Sequence, residues 1–328
     1  MRRREFVMIV GGAATAWPLM THAQQLDQVR RVGVLTNRAE SDPEGQAHLR
    51  AFVQRLSELG WVEGRNLRLD IRWGAGSDER YRRYAAELVA LSPDVILAAT
   101  SPVVAALQKA TRTVALVFAG VIDPVGSGFV ESLSQPGGNT TGFTVFDFAI
   151  GGKWLGLLKE IAPDVTRAAV LRDPTIAAGV GLFGAIQAVA PIGVELSVIG
   201  LQDANVIERG IASFARRANG GLVVTASPFG STHPDVIVVL AARYKLPAVY
   251  PFRYFVDVGG LISYGPNIAA LYRPTAEYVD RILKGEKPAD LPVQAPTKYE
   301  LVINLKAAKA LGIEIPHSVL ARADDVIE

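Results

Sequence analysis

The chain contains no cysteine. That removes disulfides, thiolate metal sites, cysteine nucleophiles and lipid anchoring through an N-terminal cysteine. Excess charge of either sign is missing too: 34 basic residues face 32 acidic ones, for a net charge of +2. A strongly basic nucleic-acid binder and a polybasic membrane-surface protein are therefore excluded. No apolar run reaches the ~20 residues that a membrane-spanning helix needs. Catalytic signatures are scarce. There is no Gly-x-Ser-x-Gly elbow, no phosphate loop of the GxxxxGK[ST] type, and no histidine pair at metal-ligand spacing. No metal or other cofactor is expected.

What is present is ordinary globular material. At ~150 residues per domain, 328 residues suggest two domains. Apolar residues make up 49% and charged residues 20%, enough to build full cores. The first 23 residues stand apart. Arg2-Arg3-Arg4 precedes a Gly/Ala-rich apolar run from Phe6 to about Leu19, and Thr21-His22-Ala23 places small residues at −3 and −1 of a cleavage site. This is the three-part plan of an export signal. Arg3-Arg4-Glu5-Phe6-Val7 resembles the twin-arginine motif, with the Sec route as the alternative. Cleavage after Ala23 leaves 305 residues with no net charge and no methionine, so nothing easily oxidised remains. The expected location is periplasmic.

From residue 31 the pattern alternates between strands and helices. Strands are expected at Arg31–Thr36, Asn66–Arg72, Asp94–Ala98 and Val114–Phe118. Helices are expected at Pro43–Leu59, Asp78–Leu91 and Pro102–Ala110, with a short one at Pro124–Leu133. After Gly142 the theme restarts, with strands at Ala168–Leu171, Val194–Ile199, Leu222–Thr225, Ala248–Tyr250 and Gly260–Tyr264. Helices lie between them at about 177–190, 203–218, 232–245 and 267–284, and a last strand and helix occupy Tyr299–Ile303 and Lys306–Leu311. Short apolar strands alternating with helices mean parallel sheets covered on both faces. The expected fold is α/β: two doubly wound parallel-sheet lobes joined by a hinge of three strands. Ligands in such folds sit beyond the carboxyl ends of the strands.

The candidate ligand-binding residues are therefore those at strand ends: Thr36 and Asn37, Thr100 and Ser101, and Asp123 in the first half. The second half offers Asp173, Thr225 and Ser227, Tyr250 and Phe252, and Tyr264. Ser101 suits a helix N-cap with Pro102 at N1, and a helix start there favours an anion such as a carboxylate. Arg38, Arg172 or Arg253 would favour an acid, and an aromatic acid could stack on the ring cluster around Tyr250 and Phe252. His48, His233 and His317 read as surface or helix-end residues. The one GxGxxG, Gly179 to Gly184, begins too far beyond its strand for a dinucleotide site and reads as a closely packed helix start.

Several stretches carry a family resemblance. They are Asp123-Pro124-Val125-Gly126-Ser127-Gly128-Phe129-Val130, Pro136-Gly137-Gly138-Asn139-Thr140-Thr141-Gly142, Gly60-Trp61-Val62-Glu63-Gly64-Arg65-Asn66, Ile282 to Pro288, and Ile303 to Gly312. Together they resemble the substrate-binding proteins of ABC importers, in the family that includes tryptophan- and tyrosine-binding members. The resemblance covers essentially the whole mature chain. It implies a type I periplasmic-binding fold with crossings near Thr141–Val145, Tyr264–Asn267 and Pro292–Tyr299. The lobes would then comprise 29–142 plus 266–294, and 143–265 plus 295–328. It also implies that Thr100 and Ser101 help hold a carboxylate. Relatives often carry Pro-Thr-Asp where this chain has Val224-Thr225-Ala226, so the acid that meets an ammonium is absent there.

The expected function is capture of a small organic ligand, an amino acid or an aromatic carboxylate, by a monomer that delivers it to an inner-membrane ABC permease. No enzymatic turnover is expected. A ligand-sensing module for a receptor and an α/β enzyme are the alternatives.

Overall fold

The computed structural model describes residues 29–190 and 193–328. The expected export segment, with its cleavage site after Ala23, lies outside them.

Two sheets share one topology. The first contains β1 (Arg30–Thr36), β2 (Leu67–Trp73), β3 (Val95–Ala99), β4 (Ala115–Val121) and β5 (Thr140–Thr144), in the order β2-β1-β3-β4-β5 and all parallel. The second begins with β6 (Arg167–Arg172), β7 (Glu195–Gly200), β8 (Gly220–Val224), β9 (Ala248–Tyr250) and β10 (Ile262–Gly265). Its order, β7-β6-β8-β9-β10, repeats the first. Two further strands, β11 (Glu300–Asn304) and β12 (Asp325–Ile327), extend it beyond β10, with β12 at the edge. One departure from the expected parallel arrangement occurs here: β11 runs antiparallel to β10. The tail enters the sheet from the opposite lobe, so it has no crossover helix to turn it round.

Each helix follows from its apolar stripe and its cap. In α1 (Pro43–Glu58) the Asp42 side chain accepts the Gly45 N–H, and His48, Phe52 and Leu56 recur every fourth residue on the buried face. In α2 (Asp78–Ala90) Ser77 caps the start and Tyr81, Ala85 and Leu88 are buried. With α3 (Ser101–Ala110), α2 covers one face of the first sheet. The other face is covered by α1 and by α10 (Ile268–Leu283), a helix that follows all five parallel strands of the second sheet in sequence. The second lobe holds α4 (Ile150–Ile161), α5 (Ala177–Val189), α6 (Ala204–Phe214), α7 (Pro228–Thr232), α8 (Pro234–Arg243) and α9 (Arg253–Asp257). The tail adds α11 (Leu305–Leu311) and α12 (His317–Leu320).

Three expectations change. The segment 124–133 forms no helix. Asp123 and Gly128 take positive φ, and Asp123 accepts the Gly126 N–H through Oδ1, so a chain of turns replaces helical hydrogen bonds. Conversely, α4 is a helix that the pattern left unassigned. It is buried on most of its circumference, with Ile150, Trp154, Leu155, Leu157, Leu158 and Ile161 inside, so no single stripe marks it. Finally, β5 continues to Thr144, so the first crossing starts after that residue.

The third crossing begins beside the end of β5. Gln294 N–H donates to Gly142 O (3.0 Å), and Thr144 N–H donates to Gln294 O (2.8 Å). Thr141 Oγ1–H donates to Leu291 O (2.5 Å). Trp154 Nε1–H donates to Tyr264 O at the second crossing (2.7 Å). Gly142 is itself required: its φ is +151°, and a β-carbon there would overlap the Phe118 backbone of the paired strand. Gly142→Ala is expected to lower stability by ~1–3 kcal/mol, the usual cost of forcing atoms into a packed core. A denaturant melt that superimposes on wild type would contradict this.

Candidate functional site

Both sheets reverse strand order at one place, between β1 and β3 in the first and between β6 and β8 in the second. Crevices open at such points, beyond the carboxyl ends. The lobes bring these two crevices face to face. Asn37 Nδ2–H, after β1, donates to Ser231 Oγ on α7 across the cleft (2.9 Å). Between them lies an inner cavity with about 680 Å³ of empty space.

The first lobe supplies Asn37, Arg38, His48, the segment Ala99 to Pro102, Ala119, Gly120 and Ile122, with Ile268 and Tyr272 from α10. The second supplies Val145, Ile176, Ala178, Ala226, Ser227, Pro228, Ser231, Phe252 and Tyr254. An adjoining outer cavity shares Ser101, Pro102, Ile176 and Pro228, and adds Asp78, Tyr81, Asp173, Gln202 and His233. Among the described residues no cluster of three or more metal-ligating side chains occurs.

The expected site residues divide. Asn37, Thr100, Ser101, Ser227 and Phe252 line the inner cavity. Asp173 lines the outer one, its Oδ1 accepting both the N–H and Oγ1–H of Thr175 (2.9 and 2.6 Å). The other five lie elsewhere. Thr36 is buried behind Arg38, whose N–H it accepts at 3.3 Å. Thr225 is fully buried and donates its hydroxyl to Leu171 O, tying β8 to β6. Asp123 closes its own turn. Tyr250 is in the core, stacked on Phe255 at 5.0 Å. Tyr264 stacks on Tyr299 in a different cavity, beside Lys153.

Of the three arginines, Arg38 alone lines the cavity. It is 5% exposed, donates from Nη1 to Asp42 Oδ2 (2.8 Å), and lies over the Tyr254 ring at 5.2 Å. Arg253 pairs on the surface with Asp257 and Asp325. Arg172 lies over Phe183. His48 is not a surface residue: it is 5% exposed, stacked on Tyr272 at 4.6 Å, and lines the cavity. Its shared stripe with Phe52 and Leu56 was the available signal. Burial holds its pKa below 6.5, with the Glu44 carboxylate at 3.5 Å opposing the shift. Burial also raises Tyr272 to about 12, and Tyr254 in the same direction, so both phenols stay neutral.

The start of α3 is unusual. Thr100, not Ser101, is its N-cap, and Thr100 makes no side-chain cap bond. Ser101 is the first helical residue and Pro102 the second. Thr100 has φ +73° and ψ 158°, a region reserved for glycine, and its buried Oγ1 has no hydrogen-bond partner among the described residues. The start of α5 also reaches the cavity, through Ile176 and Ala178, and also lacks a side-chain cap. The glycines of the GxGxxG segment pack this start tightly. A β-carbon at Gly179 would meet the Asp173 carbonyl, and one at Gly181 would meet the Phe148 ring.

Two expected outcomes follow. Thr100→Gly should relieve ~1–3 kcal/mol of backbone strain, offset by ~0.5–1 kcal/mol of glycine entropy, so the ligand-free melting temperature should hold or rise. A fall of several degrees would contradict this. For His48, the sign is that of a depressed basic group. The unfolded chain binds a proton at pH 6.5 and the folded chain only lower, so stability is full above 6.5 and falls as pH drops below it. Melting curves from pH 7.5 to 5 should show a steeper acid limb for wild type than for His48→Gln.

Comparison with known proteins agrees with this geometry. Residues 40–327 match the family described as ABC transporter substrate binding protein. A tyrosine-binding protein of Clostridioides difficile (strain R20291) is 24% identical over 266 residues, which span 81% of this chain and 76% of that one. An ABC domain from Streptococcus pneumoniae, solved in complex with L-Trp, superimposes with a TM-score of 0.83 at 26% identity, covering 91% of this chain and 99% of its own. A substrate-binding protein with adhesive properties from Clostridium difficile, solved ligand-free and open, gives 0.68 at 25% identity over 91% and 99%. The two-lobed architecture is that of the type I periplasmic-binding proteins, and this chain belongs to the ABC transporter substrate-binding protein family.

Proposed function

We propose that the protein is exported to the periplasm, captures a small organic ligand in the inner cavity, and delivers it to an inner-membrane ABC permease. One observation carries this reading: a cavity at the carboxyl ends of both sheets, partly open to solvent, is lined by residues of both lobes. A ligand that touches both lobes stabilises the closed arrangement over the open one, which is the signal a permease can read. The ligand-binding residues proposed are Asn37, Arg38, His48, Thr100, Ser101, Ser227, Phe252 and Tyr254, with Asp173 at the outer rim. The occupant is an amino acid or another small carboxylate, in keeping with relatives that bind tyrosine and L-Trp.

Closure about the three crossings is part of the proposal. At nearly equal identity, the chain superimposes better on the L-Trp complex than on the ligand-free, open relative. The Asn37–Ser231 contact supports the same reading, since it exists only with the lobes together. Binding, closing and releasing require no bond to be made or broken, so we propose no catalytic residue. No helix of the described residues is long and apolar enough to cross a membrane. Delivery therefore rests on the leader at residues 1–23, and the mature protein acts as a monomer.

Small-angle scattering should show a smaller radius of gyration at ligand saturation, and Asn37→Ala should reduce that change and weaken binding. Equal scattering curves with and without bound ligand would remove the clamp. Intact-mass analysis of periplasmic protein should show a start at Gln24. Lysine at both Arg3 and Arg4 should block export by the twin-arginine route; undiminished export would assign the Sec route instead.

A further inference from the structure

We infer that the inner cavity selects an organic carboxylate that carries no ammonium group beside it. This rests on the binding role proposed above and concerns its substrate class.

The basic side chains on the inner wall are Arg38 and His48, the phenols of Tyr254 and Tyr272 stay neutral, and among the described residues no carboxylate lines it. The carboxylates behind that wall are already engaged. Asp42 accepts the Gly45 N–H through Oδ1 and Arg38 Nη1 through Oδ2. Glu44 faces His48 from the exposed side of α1. Asp78 and Asp173 line the outer cavity, beyond the shared wall of Ser101, Pro102, Ile176 and Pro228. An ammonium in the inner cavity would therefore lose its water, face a guanidinium, and find no charged acceptor.

An anion finds the opposite. Among the described residues, Nε and Nη2 of Arg38 have no protein acceptor and keep contact with solvent, although most of the residue is buried. The Thr100 hydroxyl is buried and idle. The first turn of α3 opens on the cavity without a side-chain cap, and helix starts favour negative charge. These donors line the same cavity from two segments of one lobe. The remaining wall is mostly apolar and aromatic, with Ile122, Val145, Ile176, Phe252 and Tyr272, and carries the neutral polar groups of Asn37, Ser227 and Ser231. The matching ligand has one carboxylate and an apolar or aromatic body.

The test is a calorimetric titration with matched series that differ at one group: 3-phenylpropanoate, L-phenylalanine and 3-phenylpropanamide; indole-3-propanoate and L-tryptophan; 4-methylpentanoate and L-leucine. In at least one series the plain carboxylate should bind more tightly than its amino acid and its amide by roughly ten- to hundred-fold, the range of one charge-assisted hydrogen bond. Ala226 lines the wall on the second lobe and is buried. Ala226→Asp should reverse the order, weakening the carboxylate and strengthening the amino acid. Amino acids that bind wild type as tightly as their plain carboxylates overturn the inference and leave the binding role intact. So does an amide that binds equally. Failure of every compound also overturns it, and the binding role is then judged separately. A sugar or polyol that raises the melting temperature and shrinks the radius of gyration would preserve that role.

Discussion

The structure depends on the burial of α10 against the first sheet. Tyr272, Ala276, Val279 and Leu283 pack with Phe52, Leu56, Val95 and Val117. These contacts join residues separated by most of the second lobe. To make them, the chain must leave the second sheet at β10, return to the first, and then go back again to form β11. Burial at ~25 cal/mol per Å² makes a helix of this size worth several kcal/mol to the first lobe. Three crossings are the consequence, and the hydrogen bonds of Gln294 with Gly142 and Thr144 tie the third to the end of β5.

That arrangement also sets the site. With the crossings bundled along one edge, the switch points of the two sheets are turned toward each other. Arg38 and Asn37 then meet Tyr254 and Ser231. Neither lobe alone encloses the cavity. Tyr272 shows the coupling most directly, since the helix that joins the lobes also supplies the ring on which His48 stacks. The strained Thr100 is tolerable for a related reason: β3 and α3 on either side of it are well buried, and a rigid frame can hold one residue in a costly conformation.

Much of the fold was legible in the sequence. Alternating apolar runs located β1 to β4 and β6 to β10 to within a few residues, because local burial on both faces writes itself into composition. The apolar stripes of α1 and α2 were visible for the same reason. The failures share a cause. The turns of 124–133 depend on positive φ at Asp123 and Gly128, which periodicity does not report. Buried nearly all round, α4 lacks a stripe. The duplicated strand order of the two sheets left no repeat in the residues, since topology constrains burial pattern and not identity.

The site was legible only by position. A strand end is a local fact, and it brought forward Asn37, Thr100, Ser101, Ser227 and Phe252, all of which line the inner cavity. Which strand-end side chain faces the cleft is decided by the twist of the sheet and by the opposite lobe. So Thr36 and Thr225 turned inward, and Tyr250 joined the core. Arg38 was separated from Arg253 by what surrounds each: Asp42 and Tyr254 in the cleft for one, Asp257 and Asp325 at the surface for the other. By itself the sequence determined the elements, their alternation and hence the class of fold. The tertiary structure decided which polar groups share one enclosed space, because that depends on contacts between residues more than a hundred positions apart.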